Sequence, residues 1–363
     1  MAAVYCVFTL LLMVVMWQRL VSPWSIITMR AEWFAMTAAL VGVTIALRGR
    51  TLGKSASSPL GKLGASCSPL MTVVRTAAQL AWLILWYPDT YEFNRSFNNL
   101  DHLFASTEQH LFGCQPALIF NQALPQPLWS EAFNLGYWSY YPMIAALMLA
   151  VLWRGSHAKD GGAFQRTECS RKAHGCSHRL VQVTERSDRD AAEDGNGKGG
   201  IDLWPLQQAT TAILASFFCY YTIYIFLPVA GPQFYFQAVG IDAIANGHFP
   251  AIGTYFSSHT ELLPAPGWSD GLFHQLVVQA QETGERPTAA FPSSHVGIST
   301  IVLLLSRRFA PRLTPFLLPF WTLLCCVTVY IQAHYVIDAL AGLITAPIVL
   351  WIAAKGTERL TTD

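Results

Sequence analysis

Charge is what this sequence has least of. Asp, Glu, Lys and Arg make 12% of its 363 residues, where a soluble domain carries about 25%. With a hydrophobic share of 53%, that scarcity excludes an ordinary water-soluble fold and points to a chain that crosses a bilayer many times. Nor is there a surplus of one sign. The net charge is +1, which gives no reason to expect nucleic acid as a partner. A disulfide framework is missing too: of eight cysteines, Cys6, Cys219, Cys325 and Cys326 fall inside apolar runs, where thiols act as small hydrophobes. No internal repeat is visible. The opening "MAAVYCVFTLLLMVVMW" lacks a basic leader and a clear small-residue cleavage site, so it reads as a retained first span.

What the chain does have is long apolar runs. A helix needs about 20 apolar residues to cross the hydrocarbon core. Such runs fall at 2–17, 25–47, 70–87, 135–153, 204–229, 292–309, 313–331 and 335–354. The expected fold is all-α, a polytopic transmembrane helical bundle of about eight spans. Four basic clusters orient it: Arg48, Arg50, Lys54 and Lys62; Arg154, Lys159, Arg166, Arg171, Lys172 and Arg179; Arg307, Arg308 and Arg312; Lys355 and Arg359. With eight crossings all four fall on one side, the cytoplasmic one by the positive-inside rule. Both termini are then cytoplasmic, and residues 88–134 and 230–291 are extracytoplasmic. The expected organisation is an N-terminal transmembrane hairpin and loop over 1–69, a membrane domain over 70–354 and a cytoplasmic tail over 355–363. Residues 154–203 are polar, Gly-rich and poor in aromatics, and read as a disordered insert. Within it Cys169, His174, Cys176 and His178 match no common closed zinc spacing, so no metal is expected. The external segments "AGPQFYFQAVG", "HFPAIGTYF" and "LLPAPGWSDGLF" suit either the roof of a lipid head-group site or a plain aromatic belt.

Against this apolar background two stretches stand out, "TAAFPSSHVG" and "YIQAHYVID". His295 follows Pro-Ser-Ser where the chain enters a helix from outside. Proline suits a first helical turn, serine caps it, and free backbone N–H groups there receive an oxyanion. Ser293, Ser294 and the amides around Val296 and Gly297 are therefore candidate phosphate ligands. His334 and Asp338 stand i, i+4, a spacing that puts both on one helix face. The carboxylate can then hold one imidazole nitrogen and leave the other as a nucleophile or base. One descending and one ascending helix separate the two histidines, so both return to the same external side. Two such histidines are what phosphoryl transfer through phosphohistidine requires, one attacking phosphorus and one protonating the leaving oxygen.

"PSSH" followed by "HYVID" resembles the second and third motifs of the type 2 phosphatidic acid phosphatase superfamily of membrane phosphatases and phosphotransferases. "AFPSSHVG" with "HYVIDALAG" is similar to its inositolphosphotransferase branch, which includes inositol phosphorylceramide synthase, and in style to sphingomyelin synthases. The resemblance covers residues 70–354. It implies a six-helix core, His334 as nucleophile, Asp338 as its orienting partner, His295 as acid, and Ser293 and Ser294 on the phosphate. It further implies a lipid phosphate or phospholipid donor, an alcohol acceptor or water, and no metal or cofactor. Two departures bear on activity. Phosphatases of the superfamily carry a Ser-Arg pair seven and six residues before the nucleophilic histidine, where this chain has Val327 and Thr328. Their upstream lysine and Arg-Pro motif is not visible. Arg286 is the nearest basic residue and a candidate for the lost charge; Arg95 is a weaker one. The loss of the pair favours a transferase over a plain phosphatase. A proton-coupled transporter built on the same residues would spread ionisable groups through several spans and show repeats, and a two-histidine, one-carboxylate metal site would come with denser histidine clusters. The tyrosines of "GYWSYYPM" belong to a head-group pocket or, more simply, to an aromatic girdle.

Overall fold

The computed structural model describes residues 2–52, 59–157 and 201–362. The predicted disordered insert lies for the most part, and the four candidate zinc ligands wholly, outside the described residues. Every regular element among the described residues is helical. The first three are α1 (Ala2–Met16), α2 (Pro23–Leu52) and α3 (Pro59–Asn94). Next are α4 (Asp101–Phe112), α5 (Pro116–Ala123), α6 (Pro127–Trp138) and α7 (Tyr140–His157). Then come α8 (Trp204–Phe226), α9 (Pro232–Val239), α10 (Ile241–Ala245) and α11 (Leu272–Gly284). Last are α12 (Ser294–Phe309), α13 (Thr314–Tyr330) and α14 (Val336–Thr362).

A helix stands at each of the eight expected spans, but they differ in reach. Among the described residues, five segments are long and apolar enough to cross a membrane: Ala2–Arg19, Pro23–Ala46, Pro69–Asn94, Trp204–Phe226 and Val336–Lys355. The run read as one straight span over 135–153 is broken, because α6 and α7 meet at a 50° bend. At the break the Ser139 hydroxyl donates to the Gly136 carbonyl at 2.6 Å, and Gly136 lies hard against the Leu323 backbone, so α6 leans onto α13. Helices α12 and α13 have 16 and 17 residues. At about 1.5 Å per residue they fall short of a hydrocarbon core about 30 Å thick. Neighbouring helices enclose α12, whereas α13 keeps Phe316 and Leu318 exposed.

Helix α12 sits centrally, against α7, α8, α13 and α14, while α3 packs on α8 and α2. The N-terminal helices are held by buried polar and aromatic contacts. Arg30 pairs with Asp89, lies 4.4 Å over the Trp86 ring and donates to the Thr9 hydroxyl at 2.8 Å; Tyr5 stacks on Phe218 at 4.5 Å. A buried pair of this kind persists only when both charges are matched and hydrogen-bonded.

The two ends of the bundle have different characters. At one, Asn94 of α3 donates to the Tyr224 carbonyl of α8 at 3.0 Å, and the Ser293 N–H before α12 donates to the Asp338 carbonyl of α14 at 3.0 Å. The short helices roof this end. Asp101 of α4 accepts the Ala230 and Gly231 N–H groups at 2.7 and 2.8 Å and the Tyr335 hydroxyl at 3.1 Å. At Gly231 the backbone has φ +94°, and a Cβ would stand 2.5 Å from the Ala333 carbonyl oxygen, so only glycine lets the roof approach this closely. At the opposite end Arg154 donates to the Phe309 carbonyl at 3.0 Å. The described basic residues Arg154, Arg307 and Arg308 thus lie away from the histidines.

Candidate active site

The cap of α12 forms as the sequence suggests, shifted by one position. Ser293 is the N-cap, and its Oγ accepts the Val296 N–H at 3.4 Å, so Pro292 precedes the helix rather than opening it. This alters the expected phosphate ligands. The Gly297 N–H is spent on the Ser293 carbonyl at 2.9 Å and the Val296 N–H on the cap, so neither amide is free for an anion. Gly297 serves packing instead: a Cβ there would run into the Tyr220 hydroxyl and ring. The Ser294 N–H faces the Tyr224 hydroxyl oxygen, so the His295 N–H, in the first turn of α12, remains as the donor a phosphate would meet.

His334 does not share a helix face with Asp338. It lies in the turn 331–335 before α14, and Asp338 is in the first turn of that helix. Its Nδ1 stands 2.9 Å from the Ala290 carbonyl oxygen but 3.6 Å from Asp338 Oδ2, beyond hydrogen-bond length. Asp338 Oδ2 instead accepts the Tyr335 N–H at 2.9 Å. The expected carboxylate–imidazole bond is thus replaced by a carbonyl–imidazole bond. A carbonyl oxygen can only accept, so Nδ1 carries the proton and Nε2 keeps its lone pair. Asp338 acts one step back, anchoring by side chain and backbone the two segments that carry the histidines.

The two rings meet edge to face, with centroids 5.8 Å apart. His295 is also flanked by Tyr137 at 4.8 Å and Tyr140 at 4.6 Å. Its Nδ1 and the Tyr140 hydroxyl are buried without a hydrogen-bond partner. The "GYWSYYPM" tyrosines therefore divide. Tyr137 and Tyr140 face the site, whereas Trp138 and Tyr141 are exposed like a girdle.

Burial lowers the His334 imidazole to about 4, against the opposing pull of the Glu285 carboxylate and the Ala290 carbonyl. Glu285 is pushed above the usual carboxylate range by burial, opposed by the Tyr137 hydroxyl and by His334. Tyr137 donates to Glu285 Oε1 at 2.8 Å, and Gln233 Nε2 donates to Oε2 at 3.3 Å. Neither Glu285 nor Glu108 was evident from the sequence. Glu108, fully buried, accepts the Ile337 N–H at the start of α14 at 3.2 Å. Glu108 lies within α4 and Glu285 just after α11, lone acids with no local pattern to single them out.

Of the sequence-predicted residues, the structure gathers Ser293, Ser294, His295, His334 and Asp338 at one end of the bundle. Arg286 turns elsewhere: its Nη1 donates to the Glu285 carbonyl at 2.8 Å, and its side chain lines a cavity against α2 and α3. Val327 and Thr328 are buried, so no cation replaces the Ser-Arg pair at those positions. No group of three or more metal-ligating side chains stands together among the described residues.

Fold and site thus define a helical, multi-pass membrane protein with two imidazoles converging under a polar roof. Residues 205–352 match the family model of the PAP2 superfamily. That segment spans α8 to α14 and includes both histidines; α1 to α7, with Tyr137 and Tyr140, lie outside it. No curated protein and no solved structure matches the chain.

Proposed function

We propose that this protein is a membrane enzyme that moves a phosphate or phospho-head group from a lipid donor to a hydroxyl acceptor through a phosphohistidine at His334. The observation that carries the reading is the 5.8 Å ring pair with the His334 Nδ1 proton held by the Ala290 carbonyl at 2.9 Å. A nucleophile about 3–3.5 Å from phosphorus and an acid about 2.6–3.2 Å from the leaving oxygen require rings about this far apart. Nε2 of His334 donates its lone pair to phosphorus, and the P–O bond to the leaving group breaks. His295 gives a proton to that oxygen. It carries this proton once the phosphate's negative charge sits beside it, since a nearby anion favours imidazolium. In the second half an acceptor hydroxyl returns a proton to His295 and attacks phosphorus, and the P–N bond breaks with its electron pair restored to Nε2. Ser293, Ser294 and the His295 N–H hold the non-reacting oxygens. Asp338 fixes the positions of both histidine-bearing segments.

The match of residues 205–352 to the PAP2 superfamily supports phosphatase or phosphotransferase chemistry. Val327 and Thr328 at the positions of the missing Ser-Arg pair support the inositolphosphotransferase-like branch over a plain phosphatase. The domain reading assigns catalysis to 70–354 and places the site on the extracytoplasmic side, opposite Arg154, Arg307 and Arg308. The test supplies purified protein with a lipid labelled in its phosphate, with and without candidate alcohols. Labelled alcohol is the expected product, free phosphate would favour the phosphatase, and equal turnover by His334→Ala would refute both.

A further inference from the structure

A polar cavity lies apart from the histidines. It occupies about 540 Å³ between the start of α2, the end of α3 and Arg286, and none of Ser293, His295, His334 or Asp338 lines it. Its wall carries Glu32, Asp89, Glu92, Arg95 and Arg286 beside the Tyr91 ring. Three of these charges are matched: Asp89 by Arg30, and Glu92 and Arg95 by each other at 3.1 Å. Glu32 and Arg286 form no ion pair among the described residues. Glu92 Oε2 and Arg95 Nε are buried without a hydrogen-bond partner, so the matched pair still has an acceptor and a donor unspent. Arg95 also lies 5.2 Å over the Tyr91 ring.

The position is informative as well. Two membrane-length helices start and end here, so the cavity stands at the level where lipid head groups lie. Trp24, on the first turn of α2, is exposed at the same level, as an interfacial anchor would be. Met29 and Leu85 carry the wall inward along the two helices.

We propose that this cavity binds the head group of a zwitterionic phospholipid, with its phosphate on Arg95 and Arg286 and its ammonium on Glu32. An anionic head group without an amine would leave Glu32 facing a like charge. A cation alone would leave Arg286 unmatched. A phosphate and an ammonium on one head group answer both, and two guanidiniums give the planar forks that suit phosphate oxygens. Arg286 is next in sequence to Glu285, so the cavity and the histidine chamber share one loop.

This inference does not need the enzyme to turn over. Full-length His334→Ala protein, which cannot consume the lipid by the proposed route, is titrated in detergent with dioleoyl phosphatidylethanolamine, dioleoyl phosphatidylglycerol or dioleoylglycerol, and bound lipid is counted by native mass spectrometry. Phosphatidylethanolamine is expected to bind at least tenfold more tightly than the other two. Arg286→Gln is expected to weaken it about tenfold, and Glu32→Gln to bring it down to the level of phosphatidylglycerol. Equal binding of the two phospholipids, or unchanged binding in Glu32→Gln, overturns the proposal. Glu32 is exposed on α2, so that arm decides the matter even if Arg286→Gln fails to fold.

Discussion

A single hydrogen bond sets the chemistry of His334. An imidazole with Nδ1–H donated to a backbone carbonyl has one tautomer, and no side-chain substitution at the acceptor can remove it. Burial strengthens the effect by keeping the ring neutral down to about pH 4, where an unperturbed histidine charges near 6.5. The sign follows directly. A folded-state value below the unfolded one contributes stability that is fully present above about pH 6.5 and is lost as pH falls through about 4. Histidine ¹⁵N shifts recorded across pH are expected to give His334 a midpoint near 4. A midpoint near 6.5 would mean a solvated ring and would remove the case for an enclosed nucleophile.

Among the elements, α12 carries the tightest constraint. Gly297 has no room for a methyl group because Tyr220 of α8 fills the space, with its hydroxyl 3.0 Å from Thr345 Oγ1 of α14. Gly297→Ala should improve helix propensity by about 0.5–1 kcal/mol yet lose about 1–3 kcal/mol to overpacking, a net fall in Tm. Adding Tyr220→Phe should recover part of it, since the hydroxyl is the first atom struck. A Gly297→Ala protein as stable as the parent would show that Gly297 is not a packing position.

The same helix shows what could be read from residues alone. "PSSH" announced a capped helix start, and the cap is there at Ser293. The sequence could not say which amides the cap would consume, because that depends on whether Ser293 or Pro292 opens the helix, a one-residue matter. The i, i+4 spacing of His334 and Asp338 presupposed that α14 begins before His334. The chain instead turns through 331–335, where Gln332 adopts φ +63° and its carbonyl accepts the Gln233 N–H of α9 at 2.8 Å. The apolar runs located the helices because hydrophobic length is a local property. The bend at Ser139 depends on where Gly136 meets α13, which is not local. Arg286 was near enough in sequence to serve the phosphate cradle, but nothing in the sequence gives the direction of a loop side chain.

For the whole molecule, the roof and the bundle are joined through buried acids. Asp101 ties α4 to the 230–231 turn and to Tyr335, and Glu108 caps the start of α14. Burial raises Glu108 to about 7, against the Ile337 N–H that favours its charged form. Because the folded value lies above the unfolded one, the stability linked to its proton is fully present below about pH 4.5 and is lost as pH rises through 7. Thermal unfolding of the detergent-solubilised protein should therefore show Tm falling between about pH 6.5 and pH 8, above the range in which His334 acts with the opposite sign. Glu108→Gln, neutral throughout and still an acceptor for Ile337, should flatten that fall. An unchanged slope would place the titrating group elsewhere.

The central claim is that a phosphoryl group passes through Nε2 of His334 with His295 beside it. Trapping the intermediate tests it most directly. Protein mixed briefly with a lipid labelled in its phosphate is denatured in alkali, digested and sequenced by mass spectrometry. The expected result is label on the peptide carrying His334, stable in base and lost in acid as a P–N bond requires, and absent from His334→Ala. Label on another residue, or continued turnover by His334→Ala, would contradict it.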